Sequence, residues 1–211
     1  MKILVIGDSF AADWTVKYKG IGWTNLLADQ YDVTNLAQAG VSEYKIYKQI
    51  LSISDVSAFD LIIVSHTSPY RIHTKQHPIH TGDLLHNNAD LIYNDIDYHV
   101  HTLRGYFNRA LRSAVGFFVH HNDEEYQETV YMLFRDRINQ LIGKTKCLVI
   151  SNLPIDKKFC KEKIVLNIRD IQQKYPGLMN HMSDEGNQLV YQKVLNEIAL
   201  LKYKENHGKT I

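Results

Sequence analysis

Three short segments carry residue types that suit acyl chemistry. The first is Ile6-Gly7-Asp8-Ser9-Phe10, directly after an apolar run that starts at Lys2. A serine on such a turn stands beyond the carboxyl end of a strand, where open α/β sheets bind their ligands. Its hydroxyl can serve as a nucleophile, and its backbone N–H can point at a developing oxyanion. The second is Asn35-Leu36-Ala37-Gln38-Ala39-Gly40-Val41-Ser42, after another short run. A glycine at that place can offer an unshielded N–H to the same oxyanion. The third is Asn180-His181-Met182-Ser183, just ahead of a helical pattern. Histidine, with an ordinary pKa near 6.5, suits a general base at neutral pH.

Each segment also has a plainer reading. Gly, Asp and Ser are all turn formers. Gly40 with Ser42 reads as a strand-to-helix turn ending in a cap. His181 is one of 11 histidines, most of which belong on a surface. What separates the set from chance is its order: serine after the first strand, glycine after the second, histidine before the last helix.

The elements that must position these residues read as follows. Lys2–Ile6, Asp32–Asn35, Asp60–Ser65 and Lys146–Ser151 are β-type runs, three of them rich in Val, Ile and Leu without polar alternation. That pattern suits parallel strands covered on both faces. Helical patterns lie between them at Trp23–Gln30, Glu43–Ser52, Ile92 to about Phe118, and Glu124–Ile142. A last helix is predicted from Asp184 to about Lys202, with Ser183 as N-cap and Asp184 and Glu185 in its first turn. Alternating strands and helices predict a doubly wound, flavodoxin-like α/β fold in three α/β/α layers with a mainly parallel sheet. One domain spans 1–203, with an irregular His-rich insertion around 66–101 and a polar, frayed tail at 204–211.

On these residues the chain resembles the SGNH hydrolase superfamily, the GDSL-type esterases and lipases. Gly7-Asp8-Ser9 looks like the first signature block, with Ser9 as nucleophile. Asn35 to Gly40 looks like the second, with Gly40 as an oxyanion donor. His181 with the following Met-Ser-Asp-Glu-Gly looks like the last, which carries the catalytic histidine. The resemblance implies a serine esterase, or an acyltransferase, acting on a small acyl group, acetyl first among them, on a carbohydrate or similar polar molecule. It implies no cofactor.

Two departures stand out. The family's third block is usually Gly-x-Asn, whose asparagine completes the oxyanion hole. Here the third strand runs into Ser65-His66-Thr67-Ser68-Pro69, and Ser68 falls about where that asparagine belongs. A hydroxyl can still donate one hydrogen bond, as can His66. The family also commonly has an Asp three residues before the histidine, and that position is Leu178. His181 would then be oriented by a backbone carbonyl, by Asn180 or by Asp184. A Ser-His dyad is workable, because the orienting group fixes tautomer and geometry without taking the proton. Without a carboxylate, the His181 pKa is expected near its ordinary value. The competing reading is a degenerate, SGNH-fold binding or scaffold protein. A phosphate-cradling flavodoxin-like binder fits less well, since the loop after Ile6 has one glycine and no lysine.

Other polar groups add candidates. Asp8 and Arg71 could meet an anionic or sugar substrate at the rim. Thirteen tyrosines, among them Tyr70, Tyr93 and Tyr98, suit either a carbohydrate-binding cleft or a packed lid. His73, His77, His80, His86, His99, His101, His120 and His121 invite a metal reading. Pro78 disfavours a helix through the first of these. There is no HExxH and no zinc-spaced Cys–His cluster. They are read as surface residues, and no metal is expected.

The net charge of +1 gives no ground for a nucleic-acid or membrane partner, and leaves a small-molecule or carbohydrate ester as the expected one. Cys147 and Cys160 make no disulfide framework. Met1–Ile6 is too short for a signal-peptide core, so a cytoplasmic location is expected. Nothing in the sequence speaks to oligomeric state.

Overall fold

The computed structural model describes residues 1–82, 84–151, 164–178 and 181–207. The unalternating apolar runs become the buried strands of one sheet: β1 (Lys2–Gly7), β2 (Asp32–Asn35), β3 (Leu61–Ser65), β6 (Cys147–Ser151) and β7 (Ile164–Asn167). Their order is β2-β1-β3-β6-β7, and every pairing is parallel. Successive side chains of a strand point to opposite faces, so β1 feeds two cores. Ile3 and Val5 join Trp23 and Leu27 of α1 (Trp23–Ala28), Ile171 of α7 (Arg169–Lys174), and Val190, Val194 and Ile198 of α8 (Asp184–His207). Leu4 and Ile6 join Ile46 and Ile50 of α2 (Glu43–Leu51) and Ile138 and Ile142 of α6 (Glu124–Ile142). This is the doubly wound three-layer α/β/α arrangement.

Several expectations change in detail. Strand β7 and helix α7 were not legible as elements. The helical stretch expected from Ile92 to about Phe118 is broken into α3 (Tyr93–Val100), α4 (Leu103–Tyr106) and α5 (Arg109–His121). The breaks have a local cause. The Thr102 hydroxyl accepts from Gly105 N and the Asn108 side chain from Leu111 N, so each residue caps a new helix start. Helix α8 continues to His207, which makes the first half of the tail expected to fray helical; residues 208–211 lie outside the described ones. Among the described residues no helix is long and apolar enough to cross a membrane.

The insertion is less irregular than its composition suggests. Strands β4 (Arg71–Ile72) and β5 (Leu91–Ile92) form a two-stranded antiparallel ladder. The fully buried Asp90 fastens this ladder to the sheet edge. Its carboxylate accepts from Ser42 N at 2.8 Å and Thr74 N at 2.8 Å, and lies 2.8 Å from Lys45 Nζ. Its own N–H donates to the Gly40 carbonyl at 2.9 Å.

The carboxyl end of β1 is built around a backbone approach that only glycine allows. Gly7 has φ +150°, and a Cβ there would come within 2.5 Å of the Ser65 carbonyl oxygen. Gln49 of α2 closes the same end, accepting from Gly7 N at 2.7 Å and donating to Gly7 O at 3.1 Å. Gly7→Ala should therefore push β1 from β3 and cost about 3 kcal/mol of stability in urea unfolding. A loss below about 1 kcal/mol would show that the strand ends are not in tight contact.

Candidate active site

The turn after β1 is pinned carbonyl by carbonyl. Trp14 Nε1 donates to Ser9 O at 2.8 Å, Trp23 Nε1 to Phe10 O at 2.7 Å, and Asn35 Nδ2 to Ala11 O at 2.9 Å. Asn35, read from sequence as part of an oxyanion block, thus acts through the backbone of the serine loop. The two tryptophan roles were not foreseen, and nothing in their local sequence signals them.

Asp8 anchors the loop from below. Its Oδ1 accepts from Phe10 N at 3.1 Å and from Ser65 Oγ at 3.0 Å, and its Oδ2 lies 3.5 Å from Arg71 Nη2. Arg71 also donates to Val41 O at 2.9 Å. Burial pushes the Asp8 pKa up, and the Arg71 charge and the two hydrogen bonds pull against it. Burial likewise lowers the Arg71 pKa, against the pull of Asp8, Asp90 and Glu43. The two residues expected at a substrate rim are therefore a partnered pair. They still border a cavity of about 670 Å³, with Ser68, Tyr70, Tyr93 and Asn94.

Ser9 and His181 face one another's cavity, a mainly apolar space of about 260 Å³ whose walls include Phe10, Trp14, Tyr18, Ile21, Leu178 and Met182. The histidine is carried on a turn closed at both ends: Gly177 N donates to His181 O at 2.8 Å and Ser183 N to Tyr175 O at 2.9 Å. Its ring lies 4.3 Å from the Trp14 ring and 4.9 Å from the Phe10 ring, centroid to centroid. Neither ring nitrogen has a hydrogen-bond partner among the described residues. Hence there is no Ser9–His181 hydrogen bond in this structure. Burial lowers the His181 pKa from 6.5 to about 4. The Leu178 carbonyl opposes that shift from beside the ring, outside hydrogen-bond geometry, while Arg71 and His86 add to it. The pKa near the ordinary value, expected for a histidine without a carboxylate, does not hold, because the aromatic packing removes water.

Asp184 does not orient His181. It begins α8, and its Oδ1 accepts from Ile21 N at 3.3 Å across the cavity mouth. Asn180 lies outside the described residues.

Gly40 has φ +76°, and a Cβ there would meet Ala89 Cβ at 2.8 Å and His86 Cδ2 at 4.0 Å. Among the described residues no acceptor takes the N–H of Ser9 or of Gly40. Ser68 is not brought to the Ser9–His181 cavity. Its hydroxyl accepts from Tyr70 N at 3.3 Å in a turn, and it borders the neighbouring cavity instead. His66 is also turned away: its Nδ1 lies 2.6 Å from Glu43 Oε1, both side chains buried. The end of β3 is thus tied to α2, which is why the third block supplies no side chain to the serine.

The insertion histidines are not uniformly surface groups. His77 is buried, and burial together with neighbouring His80 lowers its pKa from 6.5 to about 4. His77, His80 and Asp95 bring potential ligand atoms within 4.8 Å of one another.

No protein-family model matches the sequence, and a search of curated proteins finds no match. Solved structures do match by shape. A psychrotrophic esterase, EstA, from Pseudoalteromonas sp., in a structure inhibited by monoethylphosphonate, superposes with a TM-score of 0.51 at 12% identity, over 96% of this chain and 98% of that one. An acetyl xylan esterase, AlAXEase, superposes with a TM-score of 0.51 at 14% identity, over 94% and 100%. The chain has the fold of these esterases.

If Trp14 keeps water off His181, Trp14→Ala should raise the imidazole pKa by roughly one unit or more toward 6.5. An NMR titration of the ring protons measures this directly. In the wild type the ring should stay neutral down to about pH 4. The sign for stability follows: the unfolded chain takes up this proton below about 6.5 and the folded one does not. The His181 contribution is therefore present above pH 6.5 and is lost as the pH falls toward 4. A wild-type titration centred near 6.5 would contradict the packing argument.

Proposed function

We propose that the chain is a serine ester hydrolase of the SGNH type, with Ser9 as nucleophile and His181 as general base. The observation that carries this reading is the shared cavity. Ser9 and a His181 ring whose nitrogens have no hydrogen-bond partner among the described residues both line it, beyond the carboxyl end of β1. The fold of two esterases adds support.

In the reaction, His181 accepts the Ser9 Oγ proton on a ring nitrogen as Oγ bonds to the acyl carbon. The oxyanion is held by the N–H groups of Ser9 and Gly40. His181 returns the proton to the departing alcohol as the C–O bond breaks. Water, deprotonated by the same ring, then attacks the acyl-enzyme and releases the acid, restoring Ser9. A second alcohol in place of that water would make the enzyme an acyltransferase. The ring and the hydroxyl must close to hydrogen-bond distance when substrate is bound, as catalytic pairs often do. The Leu178 carbonyl is the nearest substitute for an orienting carboxylate. The acyl group, acetyl or another small one, occupies the apolar space beside Trp14. A polar, sugar-like alcohol suits the larger cavity edged by Arg71, Tyr70, Tyr93 and Asn94.

One observation favours a second reading. A histidine with both nitrogens unpartnered also fits a degenerate binding protein on the same fold. Hydrolysis of p-nitrophenyl acetate separates the two. Ser9→Ala and His181→Gln should each lower kcat/KM by roughly 10³-fold or more with the fold intact. Turnover equal to wild type in Ser9→Ala would exclude Ser9 as the nucleophile. Activity should stay level on acidification to about pH 5, because the base is neutral there. Gly40→Val should lower kcat more than it raises KM, since the oxyanion exists only in the transition state. A pure KM effect would make Gly40 a residue that shapes the substrate site.

A further inference from the structure

Away from Ser9, the insertion gathers imidazoles around one carboxylate. Helix α3 sets Asp95 and His99 one turn apart on a single face, with His99 Nε2 3.7 Å from Asp95 Oδ1. The loop bearing His77 and His80 crosses that face. His80 Nε2 lies 3.0 Å from Asp95 Oδ2, and His77 Nε2 lies 3.8 Å from it. The loop is held in place. Asn108 Nδ2 donates to Pro78 O at 3.1 Å, and Ile79 packs on the small core of Ile96, Leu111 and Ala114.

The observation that points to a ligand is His77. Its side chain is 1% exposed, and its Nε2, aimed at His80 and Asp95, has no hydrogen-bond partner. Buried polar atoms are normally satisfied. A hydrogen-bonded cluster would close the 3.8 Å gap to Asp95. Donors about 2.0–2.1 Å from a tetrahedral ion stand roughly 3.3 Å apart, which the observed spacings bracket.

We propose that His77, His80 and Asp95 bind one divalent transition cation of the zinc type, with water in the fourth position. Two imidazoles and one carboxylate suit zinc and its neighbours, and are the wrong donors for magnesium or calcium. The ion clasps the loop to α3. The His80 ring stacks on that of His86 at 5.0 Å, and His86 stands beside Gly40, so the clasp also steadies the wall next to Gly40. The site is structural and independent of the Ser9 reading.

Binding has one local requirement. His77 Nδ1 accepts from Ile79 N and His80 N, both at 3.2 Å, so without metal the ring carries its proton on Nε2. Ligation by Nε2 moves that proton to Nδ1 and turns the two amides aside. Both bonds are long and share one lone pair, which makes them weak.

The test uses the full chain without an affinity tag, stripped with chelator and titrated with zinc chloride by calorimetry. One zinc per chain, a raised Tm, and shifted Ile79 and His80 amide resonances are expected. Asp95→Asn and His80→Gln should each weaken binding by at least the roughly 10–100-fold known for outer-shell changes. The pair His120→Gln and His121→Gln, away from the cluster, should leave it unchanged. If Asp95→Asn does not fold, His80→Gln, at a partly exposed position, carries the test alone. Absence of saturable 1:1 binding would overturn the proposal. So would binding that survives the cluster variants and is lost with His120 and His121.

Discussion

The site depends on a buried charge that must not go unpaired. The Asp8 carboxylate, 1% exposed, is removed from water one residue before the candidate nucleophile. A carboxylate so placed is tolerated only with close partners. Its partners come from three places: the serine loop through Phe10 N, the neighbouring strand through Ser65 Oγ, and the insertion through Arg71. Arg71 then reaches the Val41 carbonyl, beside Gly40. One carboxylate thereby couples the ends of β1 and β3 to the loop carrying Gly40. Rigidity of this kind suits a site whose donors must stand ready before charge develops.

The second constraint is apolar. Trp14 is held by its hydrogen bond to the Ser9 carbonyl, and its ring covers the His181 imidazole. The same side chain therefore fixes the loop of the proposed nucleophile and dries the proposed base. Drying keeps the base neutral over a wide pH range, but it also makes a poorer proton acceptor, since a low pKa weakens a base. A carboxylate partner would reverse that, and neither ring nitrogen has one among the described residues. As the proposed base, His181 exchanges proton affinity for a ring that stays neutral down to about pH 4.

Much of this frame was legible from residue patterns. The runs of β1, β3 and β6 are apolar without alternation, as doubly covered parallel strands must be. The turns bearing Ser9 and Gly40 and the helix after His181 followed from their positions at strand and helix ends. Other features were hidden for physical reasons. β7 is four residues long, and α7 has no side-chain N-cap. The capping residues Thr102 and Asn108 were lost within a longer helical periodicity. Ser68 was placed by counting from β3, but Pro69 and the Tyr70 turn carry it to another cavity. His77 and His80 meet Asp95 and His99 only because the insertion folds back on α3, which spacing along the chain does not show. Trp14 covers His181, and Asp90 holds Ser42 and Lys45, through contacts distant in sequence.

In the proposed reaction Ser9 is a nucleophile activated by His181. The most direct measurement of this is covalent capture by a phosphonate ester that mimics the tetrahedral intermediate, read by intact mass and peptide mapping. A single phosphonyl group on Ser9 is predicted, absent from Ser9→Ala and formed far more slowly by His181→Gln. No adduct on the folded wild-type chain, or an adduct on another serine such as Ser68, would contradict it.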